Sequence, residues 1–209
     1  VVAYTNTVID LIGKDGIVTM NQIRNFSNIT GTKNINRIYD SSDGQLLLAT
    51  SYGISGIDVA ATEFVFTTFT GAAVRDITQF GGRIYAATDE GVYSIDKDAD
   101  FIEDFRNWEL IGPDLGLPAE YRSTGLAVFS DQLFFGVDGV IYAYDGRDAL
   151  PFYDPEGLEL AYLSAEGPEL LAGYTCTGTS CTGDLVLAFD NQGIPHILDP
   201  GCTGKPTYA

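Results

Sequence analysis

Two neighbouring cations, Lys33 and Arg37, are the first candidates for chemistry. The chain has 209 residues, of which 11 are Lys or Arg and 29 are Asp or Glu, and its formal net charge is −18. An anionic ligand would find few other side chains able to neutralise it. With Asn34 between them, the sequence predicts a ligand-binding site at Lys33, Asn34 and Arg37. The architectural alternative is that Lys33 caps a turn and Arg37 pairs with a neighbouring Asp.

Three cysteines, Cys176, Cys181 and Cys202, are the second candidates. Four Gly, Thr and Ser residues separate the first two in TCTGTSCTG, a loop short and flexible enough to close into a disulfide. Polar loop cysteines favour an oxidising compartment. We predict a Cys176–Cys181 disulfide, with Cys202 either the alternative partner or a free thiol. A zinc site is disfavoured because the only His, His196, would have to join all three Cys.

Other motifs give no support for catalysis or a cofactor. The run from Asp96 to Asp100 resembles the start of a calcium loop, but Phe101 and Asn107 stand where an EF-hand has Gly and a carboxylate. His196, beside Pro195, is interpreted as a packed or surface histidine. No Gly-x-Ser-x-Gly, P-loop or usable Cys–His pairing is present. We predict no enzymatic activity, no metal and no cofactor, and the acidity disfavours nucleic acid as a partner.

An internal repeat predicts the elements that position these residues. INRIYDSSDGQLLLATSYGISGID (35–58) returns as VRDITQFGGRIYAATDEGVYSID (74–96), two weaker copies follow, and a truncated copy opens the chain. Aligned on their second strands, the five copies are spaced by 45, 38, 49 and 37 residues; the alignment points are Val1, Leu46, Ile84, Leu133 and Leu170. A period of roughly 40–50 residues with about four short strands per unit is typical of a β-propeller.

We therefore predict an all-β fold, a β-propeller of four-stranded antiparallel blades. About four to five blades are visible, as part of a larger ring, in units of roughly 1–31, 32–70, 71–118, 119–156 and 157–209. The inner strands are predicted around 35–40, 74–80, 125–130 and 159–164. The Asp that closes each copy, at 10, 58, 96, 145 and 190, is predicted to accept backbone N–H groups in an Asx turn. Trp108, with Phe101, Phe105 and Leu110, is predicted to seal the outer edge of a blade.

Four segments contain sequence features that propeller geometry does not require: VVAYTNTVIDLI (1–12), MNQIRNFSNITGTKNINRIY (20–39), LLLATSYGISGIDV (46–59) and IYAATDEGVYSID…DFRNW (84–108). They resemble the N-terminal propeller of PorZ-type proteins, components of the type IX secretion system of Bacteroidetes. The likeness is best over 1–118. ITGTKNIN (29–36) is its most specific part, because a propeller does not demand Gly31 or Lys33.

The resemblance implies a large surface protein with two successive propellers and a C-terminal sorting domain, of which the second propeller and the sorting domain are absent from this chain. It implies a non-enzymatic role at the outer membrane, in an attachment complex with the sortase PorU, PorV and PorQ. The implied task is to bind anionic lipopolysaccharide and present it to the sortase, which joins it to secreted cargo.

The alternative function is a ligand-sensing periplasmic propeller of a two-component type receptor. The repeats of such receptors favour a Trp in the second strand, which LLLATS and IYAATD lack. A propeller enzyme acting on polysaccharide is the third possibility. It is disfavoured because one His and 11 Lys and Arg residues offer few side chains for a catalytic site.

Overall fold

The computed structural model describes residues 2–4, 7–27, 29, 31–41, 43–176 and 183–198. Over these residues the chain is almost entirely β, with nineteen strands in five antiparallel sheets. The exceptions are a four-residue helix, α1 (Gln22–Asn25), and two short 3-10 helices, Phe105–Asn107 and Pro113–Leu115. None of the helices in this part of the chain is long and apolar enough to cross a membrane.

The first sheet has three strands and each of the other four has four, all hydrogen-bonded in chain order. The first sheet contains β1 (Val2–Tyr4), β2 (Ile9–Gly13) and β3 (Gly16–Met20). The second contains β4 (Ile35–Asp40), β5 (Gln45–Thr50), β6 (Gly53–Asp58) and β7 (Glu63–Phe69). The third contains β8 (Val74–Phe80), β9 (Arg83–Thr88), β10 (Gly91–Asp96) and β11 (Glu109–Ile111). The fourth contains β12 (Leu126–Phe129), β13 (Gln132–Val137), β14 (Val140–Tyr144) and β15 (Ala149–Tyr153). The fifth contains β16 (Glu159–Glu166), β17 (Glu169–Thr175), β18 (Leu185–Phe189) and β19 (Pro195–Ile197).

The first strands of the four-stranded sheets lie side by side. β4 contacts β8, β8 contacts β12, and β12 contacts β16. Sheets that meet along their first strands are the blades of a propeller around its axis. The predicted fold class, all-β with four-stranded antiparallel blades, is therefore confirmed. Two inner strands have the predicted bounds, whereas β12 is shorter than predicted and β16 extends two residues further.

Apolar cores hold neighbouring sheets together because successive residues of a strand point to opposite faces. In β5, Leu48 packs toward the first sheet and Leu47 toward the third. In β13, Phe135 packs against the third sheet and Phe134 against the fifth. One such core lies between each pair of sheets that follow each other in the chain. Each of these sheets thus buries its faces only with the help of its neighbours.

The turn between the second and third strands repeats its hydrogen bonds as well as its sequence. The hydroxyl of Thr50 donates to the carbonyl of Gly53 at 2.8 Å, and Thr88 donates to Gly91 at the same distance. The two glycines have φ of +145° and +129°, which a side chain would strain. The repeated Thr-x-x-Gly is therefore a requirement of the turn.

Four of the five repeated aspartates make the predicted Asx turns. Each carboxylate accepts from backbone N–H groups two to four residues later, at 2.8–3.0 Å; the four are Asp58, Asp96, Asp145 and Asp190. The prediction is wrong for Asp10, which lies inside β2 rather than at its end. Its carboxylate accepts instead from the hydroxyl of Thr19 on β3, directly opposite, at 2.6 Å.

The predicted cluster at the outer edge of the third sheet forms from Trp108 and Phe105, whereas Leu110 packs on the core between the third and fourth sheets. Trp108 is buried, packs near Phe105, and donates its indole N–H to the carbonyl of Ile102 at 3.0 Å. Phe101, predicted to join it, is 71% exposed and has a φ of +59°. Its left-handed backbone carries the ring into solvent, so the edge is sealed without it.

Candidate functional site

Irregularities in the inner strands build a polar site at the propeller axis. In β4, β8 and β16 the pairing register shifts by one residue near the start of the strand, leaving Asn36, Arg75 and Ala161 without a partner on the next strand. Such bulges re-aim a side chain, and they are frequent next to functional sites. Here the three bulged residues, together with Thr124 just before β12, line one cavity.

Two adjoining cavities share these four residues, one of about 510 Å³ and one of about 440 Å³. We call the combined space the axial pocket, and it is built by the starts of all four inner strands. Its polar and aromatic lining consists of Tyr4, Asn34, Asn36, Arg37, Arg75, Asp76, Arg122, Thr124, Tyr162, Ser164 and Glu166.

Two of the axial residues tie neighbouring sheets together. The side-chain amide of Asn36 donates to the carbonyl of Val74, the first residue of β8, at 2.6 Å. The hydroxyl of Thr124 donates to the carbonyl of Leu160, near the start of β16, at 2.7 Å. Both residues therefore combine a structural contact with a place on the wall of the pocket.

Asp76 is the buried charge of the site. One carboxylate oxygen accepts from its neighbour Ile77 at 2.8 Å, and the other accepts from the backbone N–H of Leu126 on β12 at 3.0 Å. The guanidinium of Arg37 on β4 lies 3.6 Å away. Burial raises the pKa of Asp76 to about 6, although Arg37 and the two N–H groups act in the opposite direction. Asp76 thus connects three sheets at the floor of the pocket.

The other two arginines of the pocket share a carboxylate. Arg75 makes a two-pronged contact with Asp89, at 2.6 and 3.1 Å, and Arg122 lies 3.4 Å from the same side chain. Arg122 also approaches Glu159, at 3.9 Å. The hydrogen bond from Arg75 lowers the pKa of Asp89, which is ionised at neutral pH. Each guanidinium in the pocket therefore faces at least one carboxylate.

The predicted site residues Lys33, Asn34 and Arg37 are divided by the structure. Lys33 donates its ammonium to the carbonyls of Arg24 and Phe26, at 3.2 and 2.6 Å, at the end of α1. Asn34 and Arg37 line the axial pocket. The contacts of Lys33 and the pairing of Arg37 with Asp76 are the ones expected if these residues have a structural role. The assignment of Lys33, Asn34 and Arg37 to ligand binding remains a prediction.

Among the remaining candidates, Cys176 and His196 are not part of the pocket's lining. Cys176 follows β17, but Cys181 and Cys202 fall outside the described residues, so the predicted disulfide stays a prediction. His196 is on β19, with its Nε2 3.3 Å from a carboxylate oxygen of Glu169. In the part of the chain that the structure describes, no three His, Cys, Asp or Glu side chains are grouped so as to hold a metal ion.

Sequence reasoning missed Asn36, Arg75, Asp76, Arg122, Thr124 and Tyr162 as site residues. One signal could have found three of them, Asn36, Arg75 and Thr124. One position at or just before the start of each inner strand changes its residue type from copy to copy, although much of the flanking sequence is repeated. The residues at this position are Asn36, Arg75, Thr124 and Ala161. Chemically, the arrangement offers planar donors and acceptors in a cavity that can hold a small polar ligand.

Comparison with known families decides the assignment. The model of the N-terminal β-propeller domain of PorZ, from the type IX secretion system, matches residues 1–109, slightly more than half of the chain. The chain belongs to the PorZ N-terminal β-propeller family. Asn36, Arg37, Arg75 and Asp76 lie inside the matched range, whereas the other side of the pocket lies beyond it.

Solved structures show the same fold at low identity. PorZ of Porphyromonas gingivalis, described as an essential bacterial surface component of the type IX secretion system, superposes with a TM-score of 0.64 at 17% identity. The alignment covers 94% of this chain but only 30% of that PorZ chain. No curated protein sequence gives a significant match.

Extracellular domains of signalling proteins from B. thetaiotaomicron are also similar. That of a one-component system has a TM-score of 0.63 at 14% identity, covering 92% of this chain and 26% of that chain. That of a hybrid two-component system has a TM-score of 0.60 at 14% identity, covering 92% and 27%. At such identities these neighbours show a shared fold, and the PorZ assignment rests on the family match.

Proposed function

We propose that this PorZ-type domain is part of a non-enzymatic component of the cell-surface attachment complex of the type IX secretion system. Its task is to assist the sortase-mediated anchoring of secreted cargo to lipopolysaccharide. The observation that carries the proposal is the axial pocket, where polar side chains from four sheets come together. The chain that forms this pocket belongs to the PorZ N-terminal β-propeller family.

We propose the partners from the resemblance to PorZ-type proteins. The parent protein works at the cell surface, associated with the outer membrane, together with the sortase PorU, PorV and PorQ, and a second propeller and a sorting domain accompany this domain. Anionic lipopolysaccharide is the ligand. Asn34 and Arg37 contact it from the wall of the axial pocket, and Lys33 acts close by, where it also holds the end of α1.

A binding role suits the chemistry of the pocket better than a catalytic one. Asp76 is the buried carboxyl, and both of its oxygens already accept backbone N–H groups. Asp89 is occupied by Arg75 and Arg122. These groups are committed to holding the sheets and the arginines in place, which favours recognition over proton transfer.

The test is deletion of the full-length gene, followed by complementation with the wild-type gene or with an Asn34→Ala, Arg37→Gln double variant. We expect deletion to abolish the attachment of lipopolysaccharide to secreted cargo and the double variant to reduce it, as measured by mass shift of the cargo on immunoblots. Cargo that is anchored at the wild-type level in the deletion strain would refute the proposed function.

The second candidate is ligand sensing by a receptor propeller, which the two extracellular signalling domains bring into consideration. A receptor would change the transcription of its target genes when the ligand is added. Comparison of transcripts in the deletion and wild-type strains, with and without lipopolysaccharide, separates the two functions. We expect no ligand-dependent difference.

A further inference from the structure

Each guanidinium of the axial pocket already faces a carboxylate. Arg37 faces Asp76, and Arg75 faces Asp89 in a two-pronged contact. Arg122 lies between Asp89 and Glu159. A phosphate group would meet guanidinium groups whose charge is already partly neutralised by carboxylates, on a chain whose net charge is −18. The pocket is therefore poorly suited to recognise a ligand through its charge.

A ligand that both donates and accepts hydrogen bonds fits this arrangement. Guanidinium, carboxylate, amide and hydroxyl groups stand side by side in the lining, and a sugar hydroxyl can donate to one of them while accepting from the next. A cavity of about 510 Å³ lies within the range that holds small ligands.

An aromatic side chain completes the lining. Tyr162, on β16, lies across Gly173 so closely that a Cβ at Gly173 would come within 1.9 Å of its ring. Gly173 thus provides the flat backbone surface that supports the ring. Tyr4, 41% exposed, lines the same cavity from the first sheet. Aromatic rings offer an apolar face to the C–H groups of a sugar ring.

From these observations we infer that the axial pocket binds a saccharide unit of the polysaccharide through its hydroxyl groups, with Arg75, Arg122 and Tyr162 as the main determinants. This inference rests on the proposed function, because it names the part of lipopolysaccharide that is recognised. The lipid and the phosphate groups make no contact in this pocket.

The experiment is isothermal titration calorimetry with the full-length protein and three probes: intact lipopolysaccharide, the polysaccharide released from it by mild acid, and inorganic phosphate. We expect the released polysaccharide to bind about as tightly as the intact molecule. Excess phosphate should not displace it, and periodate oxidation of the polysaccharide, which destroys vicinal hydroxyls, should abolish binding.

Two variants locate the interaction. Arg75→Lys keeps the positive charge and loses the planar fork, so affinity for the released polysaccharide should fall about tenfold. Tyr162→Leu should weaken binding independently. The matched control is Arg106→Ala, which removes a guanidinium that is 90% exposed and paired with Asp104 outside the pocket. Protection of β9 against hydrogen exchange confirms that each variant is folded.

The outcomes separate the two proposals. If intact lipopolysaccharide binds but phosphate displaces it, or if Arg75→Lys and Tyr162→Leu both bind like the wild type, the saccharide inference is wrong and the proposed function survives. If no form of lipopolysaccharide binds and cargo is still anchored in the deletion strain, the proposed function fails as well.

Discussion

Two regions at the same end of each sheet treat the repeat in opposite ways. The turn between the second and third strands keeps Thr and Gly in the second and third sheets, with the same hydroxyl-to-carbonyl bond. A few ångströms away, the bulged position of the inner strand changes from Asn36 to Arg75 to Ala161. Repetition marks what the fold requires of the blades that share it. A position that every copy has, but with a different residue type in each, is not constrained by the fold and can be used to bind a ligand.

The apolar cores belong to the repeated class, and disrupting one should have the largest effect. Phe135 is fully buried between the third and fourth sheets. Phe135→Ala should lower the free energy of unfolding by about 3–5 kcal/mol, because it removes buried area and leaves a cavity. Pulsed hydrogen exchange along a urea series, read on peptides of β9 and β13 in the full-length protein, measures the change.

Val128→Ala is the matched control, since Val128 lies on the neighbouring strand β12 and is 37% exposed. Its effect should stay within about 0.5 kcal/mol. Equal losses in the two variants would mean that the core between these sheets does not carry the stability assigned to it.

Asp76 lies at one of the positions that vary between copies, and its contribution to the free energy of unfolding should depend on pH. Burial raises the pKa of Asp76 to about 6 from its ordinary value of 3.8. Between these values the folded protein holds the proton more tightly than the unfolded chain, so the contribution of Asp76 to stability increases as the pH falls from 7 to 4 and is lost as the pH rises through 6. Asp76→Asn lacks this dependence.

The stability of the wild type relative to Asp76→Asn should therefore increase toward low pH, by on the order of 3 kcal/mol between neutral and acidic conditions. The same urea series at several pH values measures it. A difference between the two proteins that does not change with pH would show that Asp76 is not buried against Arg37 and β12 as described.

The Asx turns should give the smallest effect. In Asp190→Ala the turn after β18 loses two acceptor contacts, to the N–H groups of Gln192 and Ile194. Because this turn is exposed, the free energy of unfolding should fall by about 1 kcal/mol. Polysaccharide affinity, measured by calorimetry, should not change. A loss of affinity would place part of the ligand site in the turns and weaken the contrast between repeated and varied positions.

The sequence predicted the repeated features well because each follows from local chemistry. The internal repeat identified the inner strands, and the Asp that closes each copy identified four Asx turns. Asp10 was misjudged because its copy, the truncated one, places it within a strand, opposite Thr19.

The axial pocket could not be predicted in the same way. A β-bulge changes the direction of a side chain through the pairing register, and the register is not visible in one strand's sequence. Arg75 reads as an ordinary exposed strand residue until β8 is paired with β9. Lys33 was singled out for its charge, although the structure shows its ammonium engaged by two carbonyls.

The most direct test of the central claim is hydrogen–deuterium exchange of the full-length protein with and without the released polysaccharide. We predict that protection within this chain is confined to the starts of the inner strands, in peptides covering 34–40, 74–78, 122–127 and 160–164. The outer strands β7, β11 and β15 should exchange as before. Protection that falls on the outer strands, or nowhere in this chain while the polysaccharide is bound, would contradict the claim that the axial pocket is the functional site.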